Sequence, residues 1–131
     1  MTFSPERQRL FNTGVAAADA FKETKRQIDK WGVQHHPGFS VKMRNPDERC
    51  RAYGIPTEDE AKANCQSRMN GKGDSWAAIL IEEVSEAIST QGPRDRRKEL
   101  IQVAAVCLSW VADIDEYAVD PHTWIMDSFD D

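Results

Sequence analysis

The chain has 131 residues, 40% apolar and 30% charged, with a formal net charge of −5. That length suits one domain, and the composition is that of a folded protein rather than a disordered one. The acidic balance and the lack of a basic stripe with interleaved aromatics argue against duplex nucleic acid as a partner; an acidic protein that handles phosphates needs a cation between the two.

The amino terminus, MTFSPERQRL, carries charges early and lacks the apolar core of a signal peptide. Ser4, Pro5 and Glu6 form a helix start, with proline at the first helical position. The helix is expected to run from Pro5 to about Lys30, with Gly14 as a weak point and Gly32 beyond its end. Residues 32–56 contain Pro37, Gly38, Pro46, Gly54 and Pro56 and read as a long loop, of the kind that can serve as a lid. Thr57-Glu58-Asp59-Glu60 is a capping box that opens a short polar helix to about Met69. Residues 70–74, NGKGD, read as a turn, with Asp74 as N-cap of the next helix.

That helix is expected over about Ser75–Thr90, ending at Gln91-Gly92-Pro93. Ala77, Leu80, Val84, Ala87 and Ile88 share one face; Glu82, Glu83 and Glu86 lie roughly opposite, with Trp76 and Ile79 on or near their side. The last helix is expected from about Arg94 to Ala118. Between Leu100 and Ala112 it is apolar nearly all round, which suits a central position in a bundle. This run is too short to cross a bilayer and includes Gln102 and Ser109. Residues 119–131 form an acidic tail. The three cysteines, Cys50, Cys65 and Cys107, have no CxxC spacing and read as reduced thiols, Cys107 in the core. Strand signals are nearly absent. The expectation is one soluble, cytoplasmic, all-α domain over 1–131, a bundle of about four helices with a long loop after the first.

The glutamates are the chemical signal. Like charges at i, i+3 and i+4 repel. Glu99 and Gln102 sit one turn apart at the start of the most apolar helix. A short turn between antiparallel helices would bring them to Glu83 and Glu86. Several carboxylates converging from two helices suit a hard cation such as Mg²⁺, which takes oxygen ligands and bridges to phosphate. The sequence has no Glu-x-x-His pair for a di-iron bundle and no His-Asp dipeptide for an HD-type phosphohydrolase.

At these residues the chain resembles the MazG-like all-α NTP pyrophosphohydrolases, whose signature is EExxE followed by ExxD on the next helix. Glu82-Glu83-Val84-Ser85-Glu86 matches the first half. The second reads Glu99-Leu100-Ile101-Gln102, with glutamine for the aspartate. Gln27, Lys30-Trp31-Gly32, Gln34 and His36, with WAAILIEEVSEA and ELIQVAAVCLSWV, resemble a subgroup common in phages and actinobacteria. The resemblance spans well over half the chain. It implies Mg²⁺-dependent cleavage of nucleoside triphosphates between the α and β phosphates, in nucleotide-pool control, with Mn²⁺ as a substitute ion. It implies Glu83, Glu86 and Glu99 as metal ligands, with Glu82 as a further ligand or holding the attacking water. Gln27, Lys30, Trp31, Gln34, His36 and Gln102 would contact the nucleotide, Lys30 through phosphate and Trp31 by stacking. Among Arg94, Arg96, Arg97 and Lys98, one could reach the triphosphate tail, and Trp110 could border a base pocket, although core packing also explains it. The family forms dimers or tetramers, so a homo-oligomer is implied. Two other readings stand beside this one: a nucleotide-binding module without catalysis, which Gln102 makes credible, and a helical protein whose acidic face binds a partner chain.

Overall fold

The computed structural model describes residues 4–40, 45–67 and 75–117. Five α-helices account for their regular structure: α1 Pro5–Trp31, α2 Pro46–Ala52, α3 Glu58–Gln66, α4 Trp76–Ser89 and α5 Pro93–Tyr117. Among the described residues there is no strand, and no helix is long and apolar enough to cross a membrane. The all-α class is as the sequence implies.

The chain clusters into two compact units, Met1–His36 with Leu108–Asp131, and Pro37–Cys107. In the first, Ser4 caps α1 by accepting from the Arg7 amide at 3.2 Å, and Gly32 ends it at φ 73°, its amide reaching the Ile28 carbonyl. A left-handed φ of that kind costs glycine nothing and most other residues about 1–2 kcal/mol. Gly14 does not break the helix. Arg9 holds the last turns of α5 with a two-pronged ion pair, Nε to Glu116 at 2.8 Å and a terminal nitrogen to Asp113 at 3.2 Å.

In the second unit the expected loop contains α2. Asn45 caps it, accepting from the amides of Asp47 and Glu48 at 2.9 and 3.1 Å, with Pro46 at the first position. The proline that reads as a loop signal is the helix start, so the described residues hold five helices where about four are expected. Further along, Thr57 caps α3 by accepting from the Glu60 amide at 3.2 Å, and its hydroxyl donates to the Glu60 carboxylate at 2.9 Å. That helix stops at Gln66, short of Met69. The NGKGD segment and the acidic tail lie outside the described residues. The N-cap of α4 is Ser75, which accepts from the Ala78 amide at 3.1 Å, and not Asp74.

The core of this unit is built from small side chains. Cys50, Ala61, Ala78, Ser85, Ala87 and Ser89 are buried, while Leu80, Val84 and Ile88 are half-buried and Ala77 is exposed. Of the expected face Ala77, Leu80, Val84, Ala87 and Ile88, only Ala87 is buried, and the deepest contacts of α4 come instead through Ala78, Ser85 and Ser89. Small residues let α2 and α3 approach α4 closely, and polar contacts staple them: Ser85 Oγ donates to the Pro56 carbonyl at 2.9 Å, and Cys50 Sγ lies 3.2 Å from Ser89 Oγ. Each such bond contributes about 1 kcal/mol.

The sequence places α5 at the centre of a bundle and Cys107 in the core; both expectations are overturned. Leu100, Ile101, Ala104, Cys107, Val111 and Ile114 are exposed, and of the whole helix only Ala112 is buried among its described side chains. Hydrophobicity around a helix implies a neighbour on every side, and one face of α5 is exposed among the described residues. All three cysteines are free thiols.

Candidate metal centre

The corner between α4 and α5 determines where the glutamates meet. Gly92 takes φ 83° in the Gln91-Gly92-Pro93 turn, and Pro93 opens α5. Two arginines fix the exposed carbonyls at the end of α4. Arg49, on α2 and 4% exposed, donates to the Ile88 carbonyl at 2.7 Å. Arg96, on α5, donates to the Thr90 carbonyl at 2.8 Å. Cations at a helix C-terminus interact favourably with its dipole. The two guanidinium carbons lie 4.7 and 4.6 Å from the Phe39 ring centroid, so the segment after α1 is anchored here by cation–π contacts. Tyr53 reinforces the anchor, its hydroxyl accepting from the Ser40 amide.

With the corner set, Glu83, Glu86 and Glu99 come together. One carboxylate oxygen from each lies within 4.8 Å of the others. All three are half-buried. Among the described residues, three buried side-chain polar atoms lack a hydrogen-bond partner: Glu83 Oε2, Glu99 Oε2 and Arg96 Nε. A buried polar atom left unsatisfied costs about 1–3 kcal/mol, and more when charged. Two of the three belong to the glutamate trio. The third is on α5 one turn before Glu99.

The electrostatics follow from that crowding. Burial, then the charges of Glu83, Glu99, Glu58 and Glu82, push the Glu86 carboxyl up to about 7. Burial, then Glu99 and Glu82, also raise Glu83. A cation bound beside Glu83 and Glu86 would displace the protons that burial and crowding hold there and neutralise the repulsion. Oxygen-only ligands at this spacing fit Mg²⁺ or Mn²⁺, and the orphaned oxygens of Glu83 and Glu99 are the donors such an ion would satisfy.

The other candidate residues are placed as follows. Glu82 is half-buried and lies outside the trio, although its charge acts on Glu83 and Glu86. Gln102 is exposed, one turn beyond Glu99. Gln27 donates to Glu23 at 3.3 Å on the exposed surface of α1. Lys30 stands 4.8 Å from the Trp31 ring centroid, and Trp31 is 53% exposed rather than packed in a core. Gln34, His35 and His36 are exposed in the segment that follows. These α1-side residues belong to the first unit, and the glutamates and Gln102 to the second.

Sequence reasoning missed Arg49, Phe39 and Glu58. The first was lost with α2, whose signal was the Asn45-Pro46-Asp47-Glu48 start. Phe39 carries no pattern that marks it as an anchor. Glu58 belongs to the capping box of α3, and its charge reaches Glu86 while Lys62 pairs with it at 3.4 Å. Compared with known proteins, the chain matches no family model, no curated protein and no solved structure.

Proposed function

We propose that this chain is a cytoplasmic nucleoside triphosphate pyrophosphohydrolase of the MazG-like all-α kind, acting on NTPs or dNTPs in nucleotide-pool control as a homo-oligomer. The observation that carries the reading is the trio itself: three carboxylates from two helices within 4.8 Å, with buried oxygens of Glu83 and Glu99 lacking any partner.

Glu83, Glu86 and Glu99 would hold Mg²⁺, which when bound neutralises charge on the phosphate oxygens and lowers the pKa of a bound water. The chain's own groups do the rest. Arg49 and Arg96 tie the carbonyls of the α4–α5 corner, and the three carboxylates would meet an ion with little left to order. Arg96 keeps one N–H without an acceptor, a donor of the type that phosphate oxygens take. Glu82, adjacent to the trio, is assigned to the attacking water, in line with the leaving pyrophosphate. The resemblance, rather than any geometry, is the ground for assigning Lys30 to phosphate and Trp31 to base. Gln102, where the resembling family has aspartate, lowers the charge of the site by one, and its exposed amide can bond a water but does not replace a carboxylate ligand.

The test is Glu83→Gln and Glu99→Gln, each assayed for turnover and for Mg²⁺ binding by calorimetry, with helicity followed by circular dichroism. Loss of turnover and of ion binding at unchanged helicity is expected. Full turnover in either variant would remove that residue from the site.

A further inference from the structure

Phe39 touches both arginines that tie the α4–α5 corner. The Arg49 guanidinium carbon stands 4.7 Å from its ring centroid and that of Arg96 stands 4.6 Å from it. The half-buried ring is itself held: it lies 6.0 Å from the Tyr53 ring, whose hydroxyl accepts from the Ser40 amide at 2.6 Å. All these residues belong to the second unit, as do the three glutamates. The two arginines also bracket the metal centre in sequence. Arg49 donates to the carbonyl of Ile88, two residues after Glu86 on α4, and Arg96 precedes Glu99 by three residues on α5.

The place of Arg96 raises a physical question. Residues three apart on a helix are neighbours, and opposite charges there attract. Glu99 is half-buried and its Oε2 has no partner, so Arg96 is a ready counter-ion for it. Yet among the described residues Arg96 donates to the Thr90 carbonyl at 2.8 Å and makes no bond to Glu99, and its own Nε is also buried without a partner. A buried donor and a buried acceptor, both unsatisfied and one turn apart, stay unpaired only where something holds the donor elsewhere. The Thr90 carbonyl and the Phe39 ring are the two holds on the Arg96 guanidinium. An aromatic face attracts a guanidinium electrostatically as well as by packing, which an aliphatic side chain in its place does not.

We propose that Phe39 is a positioning residue of the metal centre: its ring, with the Thr90 carbonyl, keeps the Arg96 guanidinium off Glu99 and leaves that carboxylate to a cation. Without the ring, Arg96 pairs with Glu99 and competes with the ion for the same oxygens. This rests on the reading of Glu83, Glu86 and Glu99 as ion ligands, and adds to it the residue that keeps one of them open.

Mn²⁺ titrated into the full chain by calorimetry, at low salt and without nucleotide, tests it. Phe39→Leu keeps an apolar body and removes the aromatic face; it should weaken Mn²⁺ binding about five- to ten-fold, the size of one cation–π contact. Phe39→Tyr keeps the face and should bind within about two-fold of the unaltered chain. A corner that had merely loosened would give the same first loss, and a double variant separates the two causes. Arg96→Gln removes the charge and keeps an N–H donor. In the Phe39→Leu background it should restore most of the affinity, while in the unaltered chain it should change affinity by less than about two-fold; a packing role for Phe39 predicts a further loss instead. An unaltered chain that binds no Mn²⁺ overturns the metal reading and this inference with it. Mn²⁺ binding indifferent to Phe39→Leu, or a loss that Arg96→Gln deepens or leaves as it is, overturns this inference alone. Circular dichroism checks the helicity of each variant, and Phe39→Met takes the place of Phe39→Leu if the latter unfolds.

Discussion

Replacing Glu86 by glutamine should stabilise the metal-free protein, and only at neutral to alkaline pH. The Glu86 carboxyl is raised from an ordinary 4.5 to about 7, by burial first and then by the charges of Glu83, Glu99, Glu58 and Glu82. A folded-state pKa above the unfolded one means that the protonated acid is favoured in the fold. Its contribution is fully present below about pH 4.5 and is lost as the pH rises through about 7. A tenfold change in proton affinity corresponds to about 1.36 kcal/mol, so the rise from 4.5 to about 7 sets a ceiling of about 3.4 kcal/mol. Glu86 is only half-buried, and solvent screening reduces the ceiling to about 1–2 kcal/mol. Glutamine has nearly the shape of the protonated acid and does not ionise. In the presence of chelator, its melting temperature at pH 8 should exceed that of the unaltered protein by roughly 3–8 °C, and the gap should close by pH 4.5. Thermal unfolding at the two pH values measures this. A variant equally stable at both, or less stable than the parent at pH 8, would refute the reasoning that Glu86 is ionised at a cost.

The same repulsion predicts that Mg²⁺ or Mn²⁺ raises the melting temperature of the unaltered protein at pH 8, and that Glu99→Gln abolishes most of that rise; a thermal-shift titration reads it. Arg49→Ala should cost about 2–4 kcal/mol in chemical denaturation, because it frees a buried anchor and leaves the Ile88 carbonyl unpaired. Ser85→Ala, which removes the bond to the Pro56 carbonyl, should cost about 1–2 kcal/mol by the same assay. Trp31→Ala should weaken nucleotide binding by calorimetry without altering helicity, since the ring is 53% exposed and holds no core together; unchanged affinity would remove Trp31 from the nucleotide contacts.

The parts of the fold that local chemistry controls were legible in the sequence. Ser4-Pro5-Glu6 and Thr57-x-x-Glu60 mark helix starts because a side-chain oxygen and a backbone amide are neighbours in sequence, and both caps form. Gly32 and Gly92 mark helix ends because left-handed backbone favours glycine. The meeting of Glu83, Glu86 and Glu99 followed from helical spacing and one short turn. What was not legible depends on contacts distant in the chain. Helix α2 hides in a segment rich in proline and glycine, where Pro46 reads equally as a breaker and as a first helical residue. The deep face of α4 is set by the small residues Ala78, Ser85 and Ser89 meeting Cys50 and Pro56, which a search for large apolar side chains passes over. The apolar surround of α5 was read as burial within one chain. Hydrophobicity states that a face seeks cover, and does not state whether the cover is the same molecule.

The most direct test of the proposed activity is product analysis. The purified chain is incubated with each of the common NTPs and dNTPs and Mg²⁺, and the products are resolved by chromatography. The account predicts monophosphate plus pyrophosphate from at least one nucleotide, abolished by chelator and by Glu83→Gln. Diphosphate plus orthophosphate, or no product from any nucleotide, would contradict it.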